Sequence, residues 1–179
     1  MGALFHLRRF ARAQKGLAAV EFALIAPMMV FLLFGAVDLI DALGANRNAQ
    51  NVAASLADVV ARDTEISNSE MTGIWAAADI LMFPESAATM DIRVTSVMIE
   101  SATVARVVWS EGHNGYSALA ANSVITLPAA MMTPGSSIIM ADSGYHYTPP
   151  LGFLFGSGVT MTHTSYRRSR LVDPIPRVA

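Results

Sequence analysis

The sequence contains no cysteine at all. That absence excludes disulfides, cysteine nucleophiles and metal sites built on thiolates. Charge is also scarce, since 15% of the residues are charged, whereas a typical soluble protein has about 25%. The hydrophobic content of 53% is concentrated in one run, Leu17–Val37. We therefore expect a membrane segment rather than an unusually apolar globular domain.

Basic charge is scarce beyond the N-terminus. Residues 1–16 contain four basic residues and no acidic one, and the remainder contains 8 basic and 14 acidic residues. A domain that binds nucleic acid presents a basic face. We therefore expect no nucleic-acid partner for the main body of the chain.

Motifs of catalysis are missing as well. The sequence contains no GxSxG, P-loop, GxGxxG, HxH or HExxH pattern. His146 and His163 could sit on neighbouring strands, but a metal site would still need a third and a fourth ligand. We therefore predict no enzymatic activity, no cofactor and no metal, and a membrane-tethered hydrolase is the least favoured hypothesis.

The run Leu17–Val37 is long enough to cross a membrane. As a helix it spans about 31 Å, the thickness of a bilayer's hydrocarbon core. Four basic residues precede it, and Asp38 and Asp41 follow it. The positive-inside rule then predicts that the N-terminus is cytoplasmic. The predicted domains are a basic cytoplasmic leader over 1–16, a transmembrane helix over 17–41 and an extracytoplasmic α+β domain over 42–179.

Three fates of this run are compatible with its sequence. In the first, the run is an uncleaved anchor. In the second, it is a secretory signal that is cut near Ala42–Gly44. In the third, cleavage after Gly16 leaves the whole helix on the mature protein. A secretory h-region usually has only about 7–15 apolar residues, and a twin-arginine signal at Arg8-Arg9 would also be short. Glu21 favours the third fate because a carboxylate inside a membrane helix marks a functional position.

Cleavage after Gly16 would give Glu21 a partner. Leu17 would then carry a new amine at the start of the helix, and Glu21 would lie one turn further along. The positive end of the helix dipole also favours a carboxylate there. Glu21 could pair with the amine of its own chain or with that of a neighbouring subunit.

These residues carry a resemblance to a known family. Basic residues, Gly16, four further residues and Glu21-Phe22 open an apolar helix that contains Pro27. The arrangement resembles the class III signal of type IV pilin-like proteins, most of all the TadE-like family of minor pilins or pseudopilins of the tight-adherence (Flp/Tad) pilus. The resemblance covers about residues 8–45. More loosely, Trp109, Tyr145-x-Tyr147 and Arg167-Arg168-x-Arg170 also look TadE-like.

The resemblance implies a function in pilus assembly and adhesion. A prepilin peptidase would cut between Gly16 and Leu17, and Glu21, with Phe22 and Pro27 beside it, would serve assembly. The implied partners are other pilins or pseudopilins and the assembly platform of the bacterial inner membrane. The alternative is an uncleaved, single-pass scaffold or binding protein with an extracytoplasmic domain.

Two residues of the run predict local features of the helix. Pro27 removes an amide donor and frees the Ala23 carbonyl, so a kink or a local loosening is expected there. Gly35 could let another helix approach closely.

The remaining periodicity predicts an α+β fold, in which the long helix packs on a small antiparallel sheet as in pilins. The first helix is expected to continue to about residue 64. Its apolar residues recur at roughly helical spacing and are Leu39, Leu43, Ala49, Val52, Leu56, Val59 and Val60. Ser67 or Ser69 is expected to cap a second helix. Its range is 70–83, and strands are predicted over 90–100, 103–109, 137–148 (with a break at 142–143) and 158–170, with loops over 111–115 and 153–155.

Overall fold

The computed structural model describes residues 16–154 and 156–179. It has the α+β architecture predicted from the sequence, with one long helix packed on a five-stranded antiparallel sheet. The helices are α1 (Leu17–Ala61) and α2 (Asn68–Met82). The strands are β1 (Asp91–Ile99), β2 (Ala105–His113), β3 (Val124–Ile125), β4 (Ser137–Tyr147) and β5 (Val159–Arg168).

Helix α1 runs without a break from the apolar run into the folded domain. It contains 45 residues and is therefore about 68 Å long. The helix continues across Pro27 and Gly44 and ends at Ala61, three residues before the predicted end. One helix thus connects the apolar N-terminal segment to the sheet.

The face of α1 that packs on the sheet consists mainly of small residues. Its buried positions recur every three or four residues, as expected for one stripe of a helix. They are Gly35, Asp38, Ala42, Ala45, Ala49, Val52, Ala53, Leu56, Ala57, Val60 and Ala61. We call this set the seam. Short side chains let the helix backbone approach the sheet closely.

The seam contains four of the seven residues predicted for the apolar face of this helix, Ala49, Val52, Leu56 and Val60. The other three, Leu39, Leu43 and Val59, are exposed. The seam also includes several further alanines that the prediction left out. The large side chains on the opposite face instead continue the exposed apolar surface of the N-terminal half.

Helix α2 begins after Ser67, one of the two caps predicted from the sequence, which forms a capping box with Glu70. The Ser67 hydroxyl accepts a hydrogen bond from the Glu70 amide, and the Glu70 carboxylate accepts one from the Ser67 amide at 2.7 Å. These bonds satisfy two amides that the first turn of a helix leaves free. Hydrogen bonds from the Ser67 hydroxyl and, to a lesser extent, from the Ser67 amide to the Glu70 carboxylate also hold the pKa of Glu70 below its ordinary value.

The sheet has the strand order β3-β2-β1-β4-β5, and two strand predictions were wrong in detail. Strand β2 extends to His113, although a loop was predicted from residue 111. A Cβ at Gly112 would lie 1.9 Å from the Tyr116 carbonyl oxygen. This glycine therefore serves a close approach of the following chain within a strand, and it was misread as a turn residue.

Strand β4 is continuous, although a break was predicted at Asp142 and Ser143. Asp142 accepts two hydrogen bonds from Arg93 on β1, at 2.7 and 3.0 Å. The Ser143 hydroxyl donates to the Ala49 carbonyl of α1 at 2.9 Å. Tertiary partners thus satisfy two polar side chains that resemble turn residues in the sequence. The two-residue strand β3 was not predicted, since a pair of residues carries no periodicity.

Contacts along the helix orient the sheet. Strand β4 runs antiparallel to α1, so Ser143 meets Ala49, and Arg170, just after β5, meets Asp58 near the end of the helix. The opposite ends of these strands, Tyr147 and Val159, pair with each other and lie towards Asp38. We call the end of the domain near Asp38 the entry end and the end near Ala61 the far end.

Candidate assembly helix and its docked loop

The first half of α1, Leu17–Leu33, is exposed almost everywhere. Its large apolar side chains face outwards, as illustrated by Leu24, which is 75% exposed. An 18-residue window reaches a mean hydropathy of 2.4, and none of it is buried. The helix is therefore long and apolar enough to span a membrane. An exposed apolar surface of this size indicates lipid or other helices as its cover.

The two predicted processing residues lie at the start of this helix. Gly16 is the N-cap residue, with φ at −91°, and Leu17 is the first helical residue. Among the described residues, a Cβ at Gly16 would meet nothing within 4 Å. The fold therefore places no demand for glycine at this position.

The predicted assembly residues all lie on the exposed half of α1. Glu21 follows Leu17 by four residues and therefore lies on the same face, one turn along. In residues 16–154 and 156–179, Glu21 forms no ion pair and no hydrogen bond. Phe22 and Pro27 are exposed as well. The structure thus brings Gly16, Leu17 and Glu21 together and keeps all of them away from the sheet.

Asp38 marks the point where α1 enters the domain. Its side chain is completely buried, and its Oδ2 accepts hydrogen bonds from the Phe153 amide at 2.6 Å and the Leu154 amide at 3.2 Å. Both amides belong to the β4–β5 connection. The sequence presented Asp38 only as a charge that ends the apolar run, so its role as an acceptor for this loop was missed.

The same loop packs its side chains on the apolar run. The Phe153 ring lies 5.2 Å from the Phe34 ring and 6.3 Å from the Phe31 ring, measured between centroids. A Cβ at Gly35 would lie 3.3 Å from Leu154 Cγ. Gly35 thus allows the close approach of a loop, and the prediction that it serves another helix is corrected. The apolar residues after Pro149-Pro150 were the only available signal for this contact.

Tyr147, at the end of β4, adds a second buried polar group at the entry end. Its hydroxyl, like Oδ1 of Asp38, has no hydrogen-bond partner among the residues that the structure describes. Burial raises the pKa of Tyr147, and the carboxylates of Asp41 and Asp38 raise it further. The entry end therefore holds polar atoms that the residues described by the structure leave unsatisfied.

The arginines near the C-terminus bind within the chain. Asp58 of α1 accepts a hydrogen bond from Arg170 at 2.5 Å, lies 3.9 Å from Arg167 and pairs with Arg62 one turn along the helix. From the sequence alone, arginines at this position would be taken as a solvated strand end or as a contact for a partner's acidic face. The structure instead directs both towards α1, where they fasten the far end of the sheet to the helix.

The histidines have contacts of the kind found in structural positions. His163 lies 2.9 Å from the Asn46 side chain and His146 lies 3.0 Å from Thr160, while His113 stacks on Trp75. His146 and His163 lie on neighbouring strands, as expected, but they are not opposite each other. In the part of the chain that the structure describes, no group of three His, Asp or Glu side chains could hold a metal ion.

The comparison with protein families agrees with the geometry of this helix. The family model for TadE-like protein matches residues 16–58. Residues 16–58 are therefore similar to the TadE-like family. The TadE-like segment begins at Gly16, covers the exposed half of α1 and includes most of the seam. It ends before Trp109 and Tyr145, so the resemblance at those positions stays a prediction. No curated protein and no solved structure matches the chain.

Proposed function

We propose that the protein is a minor pilin or pseudopilin of the tight-adherence (Flp/Tad) pilus. A prepilin peptidase processes it after Gly16, and it assembles through the exposed half of α1. One observation carries the proposal. The TadE-like match starts at Gly16 and continues along a helix whose first half is apolar and exposed almost everywhere.

The environment of Gly16 supports a processing role. A glycine that a fold needs has either a positive φ or a neighbour too close for a Cβ. Gly16 has neither in the described residues. A requirement for glycine at this position would therefore come from an external partner, and a peptidase that reads the junction between a basic leader and an apolar helix is such a partner.

The position of Glu21 supports a role in assembly. A carboxylate in a membrane helix costs up to about 3 kcal/mol at the bilayer centre and less near its edge. An amine on Leu17 after cleavage would offset that cost, either within one chain or between two. Pairing between chains would fix the register of neighbouring helices, because α1 has no other charged residue before Asp38.

The proposed topology follows from the same elements. Residues 1–16 are basic and stay in the cytoplasm, α1 crosses the inner membrane, and the sheet domain lies outside. The partners are the prepilin peptidase, other pilins or pseudopilins and the assembly platform of the inner membrane. The role is structural rather than enzymatic and contributes to adhesion through the pilus.

The mature N-terminus tests this proposal directly. Intact-mass measurement of the protein purified from its own cells is expected to give a chain that begins at Leu17. A Gly16→Val variant is expected to keep residues 1–16. The matched control is Gly44→Val, because Gly44 also lies on α1 with nothing within 4 Å of a Cβ among the described residues. The control should be processed normally.

Two other results would contradict the proposal. A wild-type chain that keeps residue 1 would indicate the uncleaved anchor. A chain that begins near Ala45 would indicate a secretory signal. The second result would also remove Asp38 and with it the acceptor for the Phe153 and Leu154 amides.

A further inference from the structure

The β4–β5 connection exposes apolar side chains next to the membrane-spanning part of α1. Leu151, Phe153 and Leu154 are 44%, 47% and 43% exposed. Phe153 nevertheless packs on Phe31 and Phe34. The loop therefore lies alongside the last two turns of the apolar run, and half of its apolar surface faces away from the protein.

The depth of this contact follows from the helix itself. Phe31 precedes Val37, the last residue of the run, by about 9 Å along the axis, and Phe34 precedes it by about 4.5 Å. If Leu17–Val37 fills a hydrocarbon core about 30 Å thick, the Phe153 ring lies in the outer third of that core. The loop also lies at the end of the domain that is nearest the apolar run, because Tyr147 and Val159, which flank the loop, are paired at the entry end.

Two backbone amides of the loop have an acceptor inside the protein. Irregular backbone in a bilayer needs internal partners for its amides, because lipid offers none. Asp38 provides such a partner for the amides of Phe153 and Leu154. Hydrogen bonds to a carboxylate are also stronger than neutral ones. In water these amides could bind solvent, and a fully buried carboxylate would bring little advantage.

We propose that Leu151–Leu154 inserts into the outer leaflet of the membrane that α1 spans. The acyl chains of phospholipids cover the exposed sides of Leu151, Phe153 and Leu154. This surface is continuous with the exposed side of α1 at Phe31, which lipid covers in the same layer. The loop is then a second anchor that fixes the sheet domain against the bilayer. The inference rests on the membrane-spanning α1 of the proposed function.

The absence of cysteine allows a direct test with single-cysteine variants of the full chain. Leu151→Cys and Phe153→Cys would each carry an environment-sensitive fluorophore in phosphatidylcholine–phosphatidylglycerol vesicles, with and without nitroxide-labelled lipids. Leu24→Cys reports on the span itself. Val124→Cys is the matched control, since Val124 is 61% exposed but lies at the far end of the sheet.

The proposal expects a blue-shifted emission and quenching by nitroxide lipids at positions 151, 153 and 24. Position 124 should keep the emission of a probe in water and resist quenching. Quenching at 24 with water-like emission at both 151 and 153 would overturn the inserted loop and leave the span intact. A lack of quenching at 24 would overturn the span, and with it the proposed function and the loop together.

A titration of protein against lipid distinguishes lipid from a second copy of the chain. If lipid covers the loop, the emission at 151 stays blue-shifted when each vesicle holds one chain or fewer. A shift that appears only at high protein density would mean that another subunit covers the loop, which overturns the proposal.

The role of Asp38 has its own test. With the probe at 151, Asp38→Ala should return the emission towards that of water, because the two amides lose their acceptor and the loop leaves the bilayer. Asp41→Ala is the control, since no hydrogen bond joins Asp41 to the loop among the described residues. An unchanged blue shift in Asp38→Ala would overturn the proposed backbone requirement.

Discussion

The two halves of α1 differ in the size of their apolar side chains and in how far these are buried. Apart from Glu21, Leu17–Leu33 is apolar on all sides, rich in large side chains and exposed. Gly35–Ala61 presents a stripe of mostly small residues that is buried against the sheet, and its other faces mix polar residues with exposed apolar ones such as Leu43. The hydrophobicity of a helix indicates that it will be covered, and the size of its apolar residues indicates how closely the cover approaches.

This difference separates stability from assembly along one helix. Packing of the seam contributes to the free energy of folding, because its side chains leave water when the chain folds. The exposed half packs on the sheet domain only where the β4–β5 loop reaches it. Elsewhere it contributes no contacts to the folding of that domain. Substitutions in the two halves should therefore affect different measurements.

The largest effect is expected from Glu21→Gln. Removing the charge should abolish incorporation into pili, because Leu17–Leu33 loses its only carboxylate and with it the proposed pairing with a neighbouring amine. The thermal unfolding of the sheet domain should not change, since Glu21 has no contact with it. Sheared pilus fractions measure incorporation, and circular dichroism measures unfolding.

Glu65→Gln is the control for this experiment. Glu65 is an exposed residue in the connection between α1 and α2, so its substitution should leave both measurements unchanged. Normal incorporation of Glu21→Gln would contradict the charge-pairing role and favour the uncleaved scaffold.

The seam is tested by Ala49→Leu. Ala49 is completely buried, and its carbonyl accepts a hydrogen bond from Ser143. A larger side chain must push β4 away from α1, which should lower the free energy of unfolding by about 1–3 kcal/mol. Urea denaturation measures this loss. Ala23→Leu makes the same change in the exposed half and should have no effect, so equal destabilisation by both variants would erase the difference between the halves.

The sequence predicted those parts of the fold whose signals are local. The apolar run predicted α1 from Leu17, Ser67 was one of two predicted caps for α2, and alternation predicted β1 and β5. Each of these depends on residues close together in the chain. The processing and assembly roles of Gly16 and Glu21 were also inferred from a local spacing, and they stay predictions.

The remaining features depend on contacts between distant residues. Asp38 reaches amides 115 and 116 residues later in the chain, and no local pattern encodes that pairing. The seam was predicted only in part, because burial of its further alanines is decided by the sheet that approaches them. Asp142 and Ser143 looked like a break in β4, but they pair with β1 and β5 and find tertiary partners in Arg93 and Ala49.

Tyr147 tests the junction between the two halves. Its hydroxyl is buried without a partner in the described chain, so Tyr147→Phe should raise the free energy of unfolding by about 1 kcal/mol at neutral pH. In the wild type the raised pKa means that the fold favours the neutral phenol. The stability that comes from this preference is complete below the ordinary pKa of 10.0. It is lost as the pH rises towards the higher pKa of the folded state.

The variant should therefore lose less stability than the wild type above that pH. Chemical denaturation at a series of alkaline pH values measures this difference. Tyr145→Phe is the control at neutral pH, because the hydroxyl of Tyr145 is not among the buried polar atoms without a partner. Destabilisation by Tyr147→Phe would show that the hydroxyl has a partner after all.

The smallest effect is expected at the far end of the seam, from Asp58→Asn. Asp58 pairs with Arg62, Arg167 and Arg170, but these arginine side chains are 41–62% exposed, and exposed ion pairs contribute only about 0.5–1 kcal/mol. Urea denaturation should detect this loss at low salt. At about 1 M salt the difference from the wild type should shrink, because screening weakens exposed pairs. Incorporation into pili should be unchanged, since the pairs stabilise the domain and leave the exposed half of α1 as it is. A loss of incorporation at preserved stability would instead extend the assembly surface from the first half of the helix to its far end.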